Sequence, residues 1–206
     1  MTKHGILIID MLNDFIGEKA TLRCPDGEKI IAPLQKLITW VRERNEHGLN
    51  DIQLIYLHEA HRKHDADFRV RPVHAVKGTW GSEIIKELQP QGDEYVIPKR
   101  RHSGFHYTDL DLYLREENLD TVVITGVWTN VCCRSTAADA LAHAYKVITL
   151  SDCCASKTEE MHKAGLVDLS IFTKVMTLDE YISAWENAID PWSGGGDPHN
   201  KVGAPT

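Results

Sequence analysis

No stretch of this sequence approaches the roughly 18 uninterrupted apolar residues of a membrane span, and Met1-Thr2-Lys3-His4 leads into a strand-like run without a signal-peptide layout. A soluble, cytoplasmic protein with no membrane partner is expected. Positive charge is short as well: the formal net charge is −7, the sequence pI is near 5.9, and no Lys/Arg run restores a basic surface locally, which argues against nucleic acid. Cysteine is too scarce and too oddly spaced for a disulfide framework or a CxxC zinc site. The five residues Cys24, Cys132, Cys133, Cys153 and Cys154 include two adjacent pairs, so reduced thiols are expected. Internal repeats are absent. What remains is a chain of 206 residues, 42% hydrophobic, enough for one buried core. One domain is expected over residues 1–190, followed at 191–206 by a Gly/Pro-rich C-terminal tail, PWSGGGDPHNKVGAPT.

Short apolar runs recur at Ile6–Asp10, Ile52–Leu57, Glu94–Pro98, Thr121–Gly126, Lys146–Leu150 and Lys174–Met176. Rich in Ile, Val and Leu, they read as strands buried on both faces. Helical patterns lie between them at Ile30–Glu46, Glu83–Leu88, Asp109–Glu116, Val131–Ala144, Glu159–Leu169 and Leu178–Ala188. This alternation predicts an α/β fold of three layers, a six-stranded parallel sheet flanked by helices. The segment His58–Gly81 stands apart. It carries His58, His61, His64 and His74 with little apolar periodicity, and a long irregular loop in a compact domain is usually functional.

Ligands of open parallel sheets bind beyond the carboxyl ends of the strands, and three chemically capable residues fall there. Asp10 closes the first strand, Lys99 follows the third, and Cys132 opens the helix after the fourth. Singly, each fits a plainer role: Asp10 a helix cap, Lys99 a solvated charge, Cys132 a small buried hydrophobe. Together they describe a nucleophile with its activators. A thiol in a helix's first turn beside a Lys ammonium favours the thiolate, and a carboxylate can take its proton and later activate water.

The stretches IIDMLNDF, KRRHSGFHYTDLDLYL and GVWTNVCCRSTAADA, in this order and spacing, resemble the signatures of the isochorismatase-like cysteine hydrolases, the superfamily of nicotinamidase and N-carbamoylsarcosine amidase. The resemblance spans roughly residues 5–178. It implies a Rossmann-like strand order, a catalytic Asp10–Lys99–Cys132 triad, a cis peptide between Val127 and Trp128, and a homo-oligomer, dimer or tetramer. It also implies an oxyanion hole from the backbone N–H groups of Trp128 and Cys132, and substrate contacts from Phe15, Arg71, His102 and Val127. Of the adjacent thiols, Cys132 lies three residues after the matching Thr129, where the family places its nucleophile. Cys133, about 100° further round the helix, should face away and pack. Cys153 and Cys154 read as structural, and Cys24 as exposed.

Glu59, His61 and His74 resemble the D-x-H…H metal site of nicotinamidases, with Glu in place of Asp. One carboxylate and two imidazoles suit a divalent Zn, Fe or Mn ion; the plainer alternative is a polar loop with solvated histidines. His64 is a further candidate. No organic cofactor is expected. Where nicotinamidases carry a stacking Trp three residues before the second metal His, this chain has Arg71, and Arg69, Arg100 and Arg101 flank the same site. Arg favours carboxylates. The resulting expectation is an amidohydrolase that cleaves a linear amide or ureide such as N-carbamoylsarcosine and releases ammonia through a Cys132 acyl-thioester. Nicotinamidase is the first alternative. A non-catalytic binding member of the family is an alternative of another class.

Overall fold

A computed structural model describes residues 2–193. Six strands, β1 (His4–Ile9), β2 (Ile52–Glu59), β3 (Tyr95–Lys99), β4 (Thr121–Val127), β5 (Lys146–Ala155) and β6 (Lys174–Met176), form one sheet in the order β3-β2-β1-β4-β5-β6. Every pairing is parallel. The order reverses between β1 and β4, and their carboxyl ends open the crevice that such a switch point creates.

The helices are α1 (Asn13–Ile16), α2 (Ile31–Glu46), α3 (Leu110–Glu116), α4 (Arg134–Ala142), α5 (Glu159–Leu169) and α6 (Leu178–Glu186). In α2, Leu34, Leu37, Ile38 and Val41 recur at helical spacing and are all buried, giving one apolar stripe to the sheet. With Tyr181, Ile182 and Trp185 of α6 they pack on Ile6 and Ile8 of β1. The opposite face seats Leu7 and Ile9 on α3, α4 and α5 through Leu110, Leu114, Ala137, Ala140 and Leu169. Both faces of β1 are therefore dry, which is why its sequence runs apolar without alternation. A capping box at Thr177 and Glu180 starts α6, and Thr158 accepts from the Met161 N–H to start α5, each satisfying amides with no partner inside the helix.

Three sequence expectations change. Glu83–Leu88 forms only a 3-10 turn over Lys86–Leu88, because six residues ending before Gln89-Pro90 are too few to offset helix nucleation. The helix expected from Val131 starts as a π-helical turn, Thr129–Cys133, and becomes α-helical at Arg134. Cys153 and Cys154 lie inside β5 rather than after it. The β4–β5 register jumps from Ile124↔Thr149 to Gly126↔Cys154, so β5 carries an irregular segment that periodicity could not foresee. At the C-terminal side, Pro191 is buried, its carbonyl accepts from Lys174 Nζ at 2.5 Å, and Trp192 packs on the core. Of the expected tail, residues 191–193 are described, and residues 194–206 lie outside the described residues. Among those described, no helix is long and apolar enough to cross a membrane.

Candidate active site

Asp10 sits one residue beyond β1 with φ 53°, a left-handed conformation that Asp tolerates better than most side chains and that recurs at functional positions. Its Oδ1 accepts from the Glu59 backbone N–H at 2.9 Å, which ties the end of β1 to that of β2. Gly126, at φ 101°, lets β4 close on the same point: a Cβ there would meet Ile9 O at 2.1 Å, so only glycine fits. Beyond it the Val127–Trp128 peptide is cis, as the resemblance implies, and the π-turn that follows brings Cys132 to the crevice. Gly104 donates its N–H to Thr136 Oγ1 at 3.0 Å, docking the Lys99–Phe105 segment on α4.

These constraints converge on a buried ionic cluster. Lys99 Nζ lies 2.7 Å from Asp10 Oδ2 and 3.6 Å from Glu59 Oε1 and donates to Arg101 O at 3.1 Å. Cys132 Sγ lies 3.9 Å from Glu59 Oε1 and 3.8 Å from His102 Nδ1. Asp10, Glu59, Lys99 and Cys132 are all at most 4% exposed, while His102 stays 42% exposed in its side chain and borders the opening. Phe15 stands edge-on to Trp128 and to His74, with ring centroids 6.3 and 5.7 Å apart, and Val127 is buried below.

Burial is the largest influence on each charge here. It raises the Asp10 pKa to about 6 against the opposing pull of Lys99. For Lys99 burial works to remove the charge, but Asp10, Cys132 and Glu59 outweigh it and hold the ammonium. Glu59 is likewise opposed by burial yet kept ionised by Lys99, His61, His74 and Arg71. The Cys132 thiol is pushed well above its ordinary value by burial, with Asp10 and Glu59 adding to that and Lys99 opposing it. This corrects the sequence expectation of a resting thiolate. Spacing showed the lysine but not the second carboxylate, which Glu59 delivers to the thiol.

A second cluster shares Glu59. Its Oε2 lies 3.2 Å from His61 Nε2 and 3.0 Å from His74 Nε2. His74 Nδ1 donates to Pro72 O at 2.7 Å, which fixes the ring and turns Nε2 inward towards Glu59, where a bound ion would take the place of its proton. His61 Nδ1 faces Asp65 Oδ2 at 3.6 Å, and both atoms are buried without a hydrogen bond. One donor atom from each of Glu59, His61 and His74 falls within 4.8 Å of the others. This donor set fits a divalent cation of the Zn, Fe or Mn kind. His64 is exposed and stands outside the cluster. Sequence reasoning missed Asp67, whose Oδ2 lies 3.9–4.0 Å from both Nε2 atoms, and Phe68, edge-on to both imidazoles. The D-A-D-F run after His64 was the available signal.

The arginines divide. Arg71 Nε binds Asp67 at 2.7 Å and its Nη2 reaches Glu59 at 3.4 Å, so protein carboxylates engage much of its fork. Arg100 and Arg101 pair with Asp65 at 3.6 and 2.9 Å, and Arg69 is exposed. Cys133, as expected, packs away, its thiol directed at Thr125 O at 3.7 Å. Cys24 is not exposed: it is wholly buried and donates to Ser156 O at 3.0 Å, because the loop before Pro25 folds under the sheet's carboxyl edge.

An α/β sheet with a thiol, a carboxylate and a lysine at its switch point defines a class of hydrolases, and the isochorismatase domain family matches residues 4–180. The chain belongs to the isochorismatase family. It is similar to an isochorismatase-like hydrolase from Alkaliphilus metalliredigens, 72% identical over 89% of this chain and 100% of that one, with a TM-score of 0.87. N-carbamoylsarcosine amidase from Thermoplasma acidophilum is 32% identical over 86% of this chain and 98% of its own, with a TM-score of 0.76. A curated relative, a probable inactive nicotinamidase of Arabidopsis thaliana, is 34% identical over 86% of this chain and 93% of its own length.

Proposed function

We propose that this protein hydrolyses the C–N bond of a small linear amide or ureide, N-carbamoylsarcosine-like, releasing ammonia through a covalent intermediate on Cys132. The observation that carries this reading is the buried Asp10–Lys99 pair, 2.7 Å apart, with Asp10 Oδ2 otherwise without a hydrogen-bond partner and the carboxyl raised to about 6. A base poised near neutrality suits transfer from a thiol that rests protonated. Asp10 takes the Cys132 proton as Sγ bonds to the substrate carbonyl carbon. The backbone N–H groups of Trp128 and Cys132 receive the oxyanion. Collapse breaks the C–N bond, and Asp10 returns the proton to the leaving nitrogen. Water, deprotonated by Asp10, then cleaves the thioester and restores the thiol. Lys99 holds Asp10 in place and keeps the cluster's charge balanced throughout.

Glu59, His61 and His74 would hold a divalent ion, which when bound polarises a water or a substrate heteroatom. Arg71, Phe15, His102 and Val127 border the substrate. Support for a carboxylate-bearing ureide is the part of the Arg71 fork that Asp67 and Glu59 do not engage. Nicotinamide is a second reading, supported by Phe68 and Phe15 as aromatic walls beside His74. A homo-oligomer in the cytoplasm accompanies the proposal.

Ammonia release over N-carbamoyl amino acids, ureidoacrylate, biuret, maleamate and nicotinamide, with Cys132→Ala as the blank, tests it. Turnover should appear on a ureide, and Asp10→Asn and Lys99→Ala should each lose roughly 10²–10⁴-fold in kcat. Turnover retained by Cys132→Ala ends the covalent reading. No turnover on any substrate turns the protein into a binding member of its family.

A further inference from the structure

Glu59 faces two clusters at once. Its Oε2 serves His61 and His74 at 3.2 and 3.0 Å, whereas Oε1 looks the other way. There Oε1, Cys132 Sγ and His102 Nδ1 form a nearly equilateral triangle with edges of 3.9, 3.8 and 3.9 Å. Bond lengths of about 2.3 Å for Zn–S and about 2.0–2.1 Å for Zn–N and Zn–O set the edges of a tetrahedral face at roughly 3.3–3.6 Å. A contraction of a few tenths of an ångström, on the edges of the half-exposed His102 and on the Cys132–Glu59 edge alike, would turn this triangle into such a face.

The charges agree with the geometry. Lys99 and Arg71, at 3.6 and 3.4 Å from Oε1, would repel an incoming cation if they were alone. Each already has its own carboxylate, Asp10 and Asp67, both at 2.7 Å. Glu59 and a Cys132 thiolate are then the anionic donors left for a divalent ion. A thiolate, an imidazole and a carboxylate together select Zn²⁺ and other borderline or soft cations over Mg²⁺, Ca²⁺ or Mn²⁺.

We propose that Cys132, His102 and Glu59 form a second, inhibitory metal site, distinct from the Glu59–His61–His74 cluster and joined to it by the bridging Glu59 carboxylate. The ion replaces the thiol proton, which leaves to solvent, and occupies the Sγ lone pair that attacks substrate. Zinc therefore locks the enzyme and shields its thiol from alkylation. Metal binding here stands on the triangle alone; the inhibitory consequence rests on Cys132 being the nucleophile.

The test is a Co²⁺ titration of the full-length protein, following the thiolate-to-cobalt charge-transfer band in the near ultraviolet. The band should appear, vanish in Cys132→Ser with the fold checked by circular dichroism, and need at least tenfold more Co²⁺ in His102→Gln. His61→Ala should keep it. Zn²⁺ should compete the band away and slow iodoacetamide labelling of Cys132 more than tenfold, while Mg²⁺ does neither. No band, a band that survives Cys132→Ser, or one indifferent to His102→Gln overturns the site. Ammonia release is read separately. Activity without any band leaves the proposed reaction standing and removes the metal lock, whereas full turnover with the band saturated removes Cys132 as nucleophile.

Discussion

At the scale of single residues, burial decides behaviour that side-chain identity leaves open. His4 illustrates this away from the active site. It is wholly buried in β1, with Nδ1 2.9 Å from Tyr181 Oη and its ring 4.9 Å from that of Trp185. Burial, only partly offset by Asp190 and Asp120, lowers its pKa to about 4. The unfolded chain takes up this proton at about pH 6.5 and the folded protein only near 4, so the unfolded state holds more protons in between. His4 therefore costs nothing above pH 6.5, and stability drains as the pH falls from 6.5 towards 4, by on the order of 3 kcal/mol. Urea denaturation at pH 7 and pH 5 should show a larger loss for wild type than for His4→Asn, whatever the variant's stability at pH 7. Equal losses would return the acid sensitivity to other groups. Burial governs the Cys132 proton as well. Its sequence position promised a thiolate, but a buried thiol facing Asp10 and Glu59 keeps its proton until a base removes it.

The elements bring distant residues together, and their ends do this more than their middles. Gly126 is the clearest case, because β1 and β4 can approach only if position 126 has no side chain. Gly126→Ala places a methyl 2.1 Å from Ile9 O at φ 101° and should abolish folding or cost more than about 4 kcal/mol. Gly48, after α2, also has positive φ (80°) but nothing within 4 Å. Gly48→Ala should therefore cost only about 1 kcal/mol. Urea melts of the two variants make the comparison, and similar losses would mean that φ alone, rather than the close approach, fixes glycine at 126. Strand existence, and the ends of every strand but β5 to within about two residues, were legible in apolar runs flanked by turn residues. The π-turn before α4 and the β5 irregularity were not, since each depends on which neighbour supplies the hydrogen bonds; the helix expected at 83–88 failed on its own shortness.

Across the whole molecule, a bound ion would tie the long loop after β2 to the sheet. Mn²⁺ is the useful probe, being too hard to favour the thiol triangle. An ion that binds only the native state at 100 times its Kd adds about 2.7 kcal/mol, which at this chain length raises Tm by roughly 5–10 °C. Differential scanning should show that rise on adding Mn²⁺ and its loss in His61→Ala. A shift that persists undiminished in His61→Ala would take the metal away from this cluster.

By itself the sequence determined the layered α/β fold, the parallel strands and the three strand-end residues Asp10, Lys99 and Cys132. Apolar periodicity and short motifs are local properties, written in consecutive residues. Only the tertiary structure decided that Glu59 stands between the thiol and the two imidazoles, that Asp67 engages Arg71, that Cys24 is buried, and that Cys132 rests as a thiol. Each of these depends on distances across elements far apart in the chain, and on how completely water is excluded where they meet.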